Sequence, residues 1–171
     1  MATAQKQDMA FSEGDFVVYP THGVGKVMGV ETEQISGMNL ELIVIKFDKD
    51  RMTLRVPVSK AKNSGLRKLS TKQVMEDALR TLRGKARAKK AMWSRRAQEY
   101  EAKINSGDPV SIAEVVRDLY RADDTDQSYS ERQMYQAAME RLSREFGAMD
   151  GVDEVAATEK LEDVLYKATT S

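Results

Sequence analysis

Apolar residues change their spacing once along this chain of 171 residues, and that change forces two structural classes into one molecule. Up to about residue 59 the apolar runs are short and punctuated by turn signals. Met52, Leu54 and Val56 alternate with Thr53 and Arg55, a period that places them on one face of a strand. Leu40–Phe47 is the most apolar run, and Asp15–Tyr19 ends at Pro20. Gly25–Gln34 mixes Val27 and Val30 with Glu31 and Thr32, as suits a curved strand with one wet face. Thr21-His22-Gly23, Ser36-Gly37 and Asp48-Lys49-Asp50 mark turns between them. From Thr71 the period becomes helical: Val74, Ala78 and Leu82 form one stripe, with Met75 and Leu79 beside it.

The expected architecture is therefore α+β, in two domains. Four or five short strands joined by tight turns describe a small, curled antiparallel sheet of SH3/Tudor-like kind. The edges of so small a sheet are open to strand addition by a partner. In the second half Gly84 is the natural stop of the first helix, and a second covers about Met92 to Asn105, closed by Ser106-Gly107. Asp108 as N-cap with Pro109 in the first turn starts a third, which places Ile112, Val115, Val116 and Leu119 on one face. After a polar loop, Asp123–Ser128, Ser130 with Gln133 reads as a capping box before Met134, Ala137, Ala138 and Leu142. A last helix runs from about Val152 through Val155, Leu161 and Leu165. Residues 1–10 read as a disordered tail, 11–62 as the β module, 63–70 as a linker and 71–171 as a compact bundle of about five helices.

Charge divides the chain differently. The formal net charge is zero, yet residues 1–59 carry a net of −2, residues 60–106 a net of +10 and residues 107–171 a net of −8. A block this basic inside a neutral chain suits contact with a polyanion, which needs a local positive field rather than a positive total. A solvated helix surface balanced by the acidic end accounts for it as well. The chain has no cysteine and a single histidine, His22, so disulfides, thiolate nucleophiles and His-pair metal sites within one chain are excluded. The longest aliphatic run is the four residues Leu42–Ile45, too short to span a membrane. No secretory signal is legible at the N-terminus, and a cytoplasmic protein is the expectation.

Two motifs invite a ligand and fail on details. In His22-Gly23-Val24-Gly25-Lys26-Val27 a phosphate loop would need Ser or Thr where Val27 stands, and a dinucleotide fingerprint would need Gly where Met28 stands. Gly23 and Gly25 are expected instead to supply turn geometry, with His22 as a polar turn residue. Asp123-Asp124-Thr125-Asp126 lacks the Gly and Glu of a calcium loop. No nucleophile–base set stands out, so no catalytic residue, metal or cofactor is assigned.

The informative segment is Lys85–Arg96, where the chain's single tryptophan sits beside Met92 among six cationic residues. Trp93, Ala97, Tyr100 and Ile104 recur at helical spacing, so Trp93 can be the first residue of an ordinary buried stripe. It can equally stand at the helix start, presented to DNA between cations. An apolar wedge flanked by Arg or Lys is how minor-groove proteins unstack a base step. The pattern alone leaves both readings open.

Gly14-Asp15-Phe16-Val17-Val18-Tyr19-Pro20-Thr21-His22-Gly23-Val24-Gly25 resembles the opening of the CarD/CdnL family of bacterial RNA polymerase-binding transcription regulators. So do Met52-Thr53-Leu54-Arg55-Val56-Pro57, Trp93-Ser94-Arg95-Arg96, and Ser106-Gly107-Asp108 followed by Ile112–Tyr120. The resemblance runs from about residue 12 to 168. The first motif is shared with transcription-repair coupling factors; its combination with the tryptophan segment is the specific signal. The resemblance implies a Tudor-like domain docked on the polymerase β subunit through a sheet edge. It also implies a helical domain touching promoter DNA at the upstream edge of the melted bubble. On that basis Trp93 is expected as the minor-groove wedge with Met92 beside it. Arg95 and Arg96 become phosphate contacts reinforced by Lys89 and Lys90, and Arg55, Ile45 and Pro57 the polymerase-facing surface. Some members have a cation where this chain has Glu33 and Gln98.

The implied function is stabilisation of the open promoter complex by a monomer that reads no sequence and localises to the nucleoid through polymerase. Three rivals follow from the residues. A protein–protein adapter would bury Trp93 in its core. A single-strand or RNA binder would stack bases on several aromatics, whereas the basic block holds one. An enzyme has the least support.

Overall fold

The computed structural model describes residues 11–47, 51–61, 63–86, 92–121 and 127–170. The chain divides into two compact units, one ending at Leu69 and the other beginning at Ser70.

The first unit is a five-stranded antiparallel sheet. Its strands are β1 (Phe16–Tyr19), β2 (Gly23–Ile35), β3 (Met38–Phe47), β4 (Met52–Pro57) and β5 (Arg67–Lys68), in the order β4-β3-β2-β1-β5. A short helix, α1 (Val58–Ala61), follows β4. Register places Val27 opposite Ile45 and Ile45 opposite Leu54, so these side chains share a face. Val17, Val27, Ile43, Ile45, Phe47 and Val56 form the core there, with Ala61 and Leu66 packed among them. The register shifts between Val27 and Gly29, a bulge that leaves Met28 47% exposed and curls the sheet. Ser36 and Gly37 both take positive φ, the requirement of a tight I′ hairpin turn, and they close the β2–β3 hairpin where sequence places a turn. β5 pairs with β1 inside the stretch expected as a linker; a strand of two residues has no period to read.

The two motif glycines do different work. Gly23 has φ of 82°, a turn conformation that a side chain strains. Gly25 is not a turn residue: a Cβ there would lie 2.6 Å from Ile45 Cγ2 and 2.8 Å from Phe47 Cε1. It is glycine because the core ring and methyl fill its place. His22 is likewise held by rings, stacked on Tyr19 at 5.4 Å between centroids and tilted against Phe47 at 5.6 Å.

Among the described residues the second unit holds five helices: α2 (Lys72–Arg83), α3 (Trp93–Asn105), α4 (Pro109–Leu119), α5 (Tyr129–Asp150) and α6 (Glu154–Thr170). Ile112, Val115, Val116 and Leu119 of α4 are buried against residues of α2, α3, α5 and α6, so α4 is the central element. The expected cap holds, with the Asp108 carboxylate accepting from Ser111 N at 3.3 Å and Pro109 in the first turn. Thr71 caps α2 by accepting from Val74 N. The buried Glu145 carboxylate accepts from Ser70 N at 2.7 Å, tying the start of this unit to α5.

Two helix starts differ from expectation. α5 begins two residues early, because Ser128 rather than Ser130 is the cap, its hydroxyl accepting from Glu131 N at 3.2 Å. Ser128→Ala is therefore expected to cost about 1 kcal/mol and Ser130→Ala far less, as denaturant unfolding would read. α6 begins at Glu154, where Asp153 accepts from Ala156 N at 2.8 Å, and Val155 faces outward at 67% exposure. The turns at Asp48–Asp50 and most of Asp123–Ser128 lie outside the described residues, as does the tail 1–10.

Candidate nucleic-acid interface

Trp93 is the first residue of α3, and Met92 before it is 79% exposed. Ser94 and Arg95 are exposed as well. The Trp93 ring is half-buried: one side packs against the helical core, 6.3 Å from the Tyr100 ring at 53°. Tyr100 itself has no exposed surface. Trp93 thus packs against the helical core without being fully buried, and its sequence neighbours Met92, Ser94 and Arg95 are exposed.

Arg96 stands differently from its neighbour. Its guanidinium carbon is 5.6 Å from the Trp93 centroid and 5.7 Å from that of Tyr100, both within cation–π reach. Nη2 lies 3.3 Å from the Tyr100 hydroxyl. The signal was legible: Trp93, Arg96 and Tyr100 fall at i, i+3 and i+7, on one helix face. Lys89 and Lys90 lie outside the described residues, so the structure places four of the six expected DNA contacts.

In the β unit, Arg55 and Pro57 lie on β4, an edge strand, where a proline without an N–H is tolerated. Arg55 reaches over β3 to Glu31 on β2, Nε to carboxylate 3.2 Å, with both side chains more than half exposed. Ile45 does not belong with them. It has no exposed surface and points into the core from the interior strand β3, so its role is to hold the sheet that presents Arg55. Glu33 is exposed on the β2–β3 hairpin, whose end also exposes Ile35 and Met38.

Among the described residues no cluster of acidic or histidine side chains could hold a metal ion, and no helix is long and apolar enough to cross a membrane.

Residues 11–70 match the CarD-like/TRCF RID domain, and residues 77–162 match the CarD C-terminal domain. A protein of Bacillus subtilis (strain 168) named "Putative transcription factor YdeB" is 28% identical over 145 residues, which are 84% of this chain and 95% of that protein. The solution NMR structure of the N-terminal domain of Myxococcus xanthus CarD is 31% identical, covering 34% of this chain and 77% of its own, at a TM-score of 0.30. The corresponding values for CdnLNt of the same organism are 33%, 37%, 90% and 0.32.

Proposed function

The chain belongs to the CarD family, as a CarD-like transcription factor associated with RNA polymerase, and from that premise we propose a two-handed stabiliser of the open promoter complex. The β unit docks on the polymerase β subunit through the β4 edge, using Arg55 and Pro57. The helical unit sets Trp93 into the minor groove at the upstream edge of the bubble. Arg95, Lys89 and Lys90 meet the flanking phosphates, and Met92 extends the apolar tip.

The observation that carries the reading is the position of Trp93: partly buried on the first turn of α3, beside an exposed Met92 and an exposed Arg95. A ring anchored against the core that keeps part of its surface accessible can meet a base step without unpacking the core. Unstacking a step costs about a few kcal/mol, repaid by backbone contacts. A few cations and one ring bind free DNA weakly, and the minor groove carries a degenerate code. Polymerase docking makes that weak contact intramolecular, at high effective concentration. Each tenfold gain in open-complex lifetime then needs only about 1.4 kcal/mol.

The test is the lifetime of a promoter open complex under competitor challenge, with cognate polymerase. Wild type is expected to lengthen it about tenfold, equivalent to about 1.4 kcal/mol. Trp93→Ala, still folded and still bound to polymerase, is expected to lose most of that gain, and Trp93→Phe to keep part of it. Equal lengthening by wild type and Trp93→Ala would remove the wedge. No lengthening by either would favour a pure adapter, a role that the contact of Trp93 with the core also suits.

A further inference from the structure

The start of α3 is built unlike the other helix starts of its unit. Thr71, Asp108 and Ser128 each accept a backbone N–H with a side-chain oxygen, whereas Met92 at the head of α3 makes no such bond. An uncapped first turn frays, and a side chain on a fraying turn has many orientations to lose on binding. Yet Trp93 stands on that turn.

What holds it is Arg96. The guanidinium lies within cation–π reach of both Trp93 and Tyr100, and Nη2 meets the Tyr100 hydroxyl. Arg96 Nε is buried with no hydrogen-bond partner, so the group is placed by the rings at the expense of one donor. Tyr100, fully buried, anchors the stack to the core. A guanidinium so engaged already has its face on the rings and Nη2 on a hydroxyl, and a shift toward a phosphate would loosen that stack; Arg95, exposed next to it, is outside the stack.

We infer that Arg96 is a positioning residue, not a phosphate contact: it locks the Trp93 indole against Tyr100 so that the ring meets its target already oriented. The inference rests on the wedge reading for its consequence at DNA, but not for the lock itself. Pre-orientation removes part of the ordering cost of binding. The planar, delocalised guanidinium is essential, because an ammonium offers a point charge and no face to lay along an indole.

Trp93 is the chain's only tryptophan, so its fluorescence reports this site without interference. In the full chain, Arg96→Gln and Arg96→Lys are both expected to raise acrylamide quenching of Trp93 about twofold and to lower its local anisotropy. Arg95→Gln is expected to change neither. On a fork-junction DNA with A·T-rich flanks, Arg96→Gln is expected to weaken affinity roughly two- to fivefold, the scale of one cation–π contact, with no change in salt slope. Arg95→Gln is expected to reduce the slope of log K against log salt by about 0.9, as loss of one phosphate contact does. Wild-type quenching in Arg96→Lys would overturn the inference, since charge alone would then suffice. A slope reduced by Arg96→Gln would also overturn it. If Trp93→Ala lengthens the open-complex lifetime as much as wild type does, the wedge reading fails, while the quenching comparison on the chain alone still decides the lock.

Discussion

Replacing Asp118 by alanine is expected to cost about 3–5 kcal/mol, more than deleting any surface ion pair of this chain. Asp118 sits in α4, the central helix, and its side chain is 1% exposed. Arg117 beside it is 10% exposed and donates from Nε to the carboxylate at 2.9 Å. Arg117 Nη2 is buried without a hydrogen-bond partner, so this cation already gives up one donor to stay where it is. Removing the carboxylate takes from a guanidinium that is nine-tenths buried the ion-pair partner at 2.9 Å. Removing both charges does not: Arg117→Met with Asp118→Leu is expected to recover most of the loss, since a buried pair gains little over a well-packed apolar one. Urea unfolding followed through Trp93, which lies in the same unit, reads both variants. A single Asp118→Ala within 1 kcal/mol of wild type would show that the pair is solvated in solution.

How much of this was legible in the sequence depended on whether the decisive force was local. Asp108-Pro109 was readable because a cap and the residue it serves are three apart and need nothing else. Ser128 was not, because Ser128–Glu131 and Ser130–Gln133 both fit the capping frame. The choice between them is tertiary: Glu131 lies 4.0 Å from Arg121, and Gln127 donates to the Leu119 carbonyl, which ties the chain just before Ser128 to the end of α4. Ile45 failed for a related reason. Leu42–Ile45 is an unbroken aliphatic run, buried at every position, so alternation cannot say which side chain faces the core. Register with Val27 and Leu54 decides it, and register is a long-range property. The Trp93–Arg96–Tyr100 stack was readable as spacing, but its geometry, with a cation laid on two rings, needed coordinates.

Gly25→Val is the second large effect expected, and it couples packing to function. The added Cβ alone would come within 2.6 Å of Ile45 Cγ2 and 2.9 Å of Phe47 Cδ1, and both residues are fully buried. Both belong to the buried core of the sheet, so the change is overpacking of a small core, about 1–3 kcal/mol for one or two methylenes and more for a branched side chain. A sheet of this size has little stability to spare, so the β unit is expected to lose protection from hydrogen exchange at β3. The helical unit has its own core around α4, and its unfolding transition, read by Trp93, is expected to stay in place. Under the proposed function, Trp93 and its lock would then be intact but untethered. Polymerase binding should fall, and the lengthening of open-complex lifetime should vanish at protein concentrations where wild type saturates, then return in part as concentration is raised. Full lifetime extension by a variant with an unfolded β unit would instead mean that the helical unit acts without a tether.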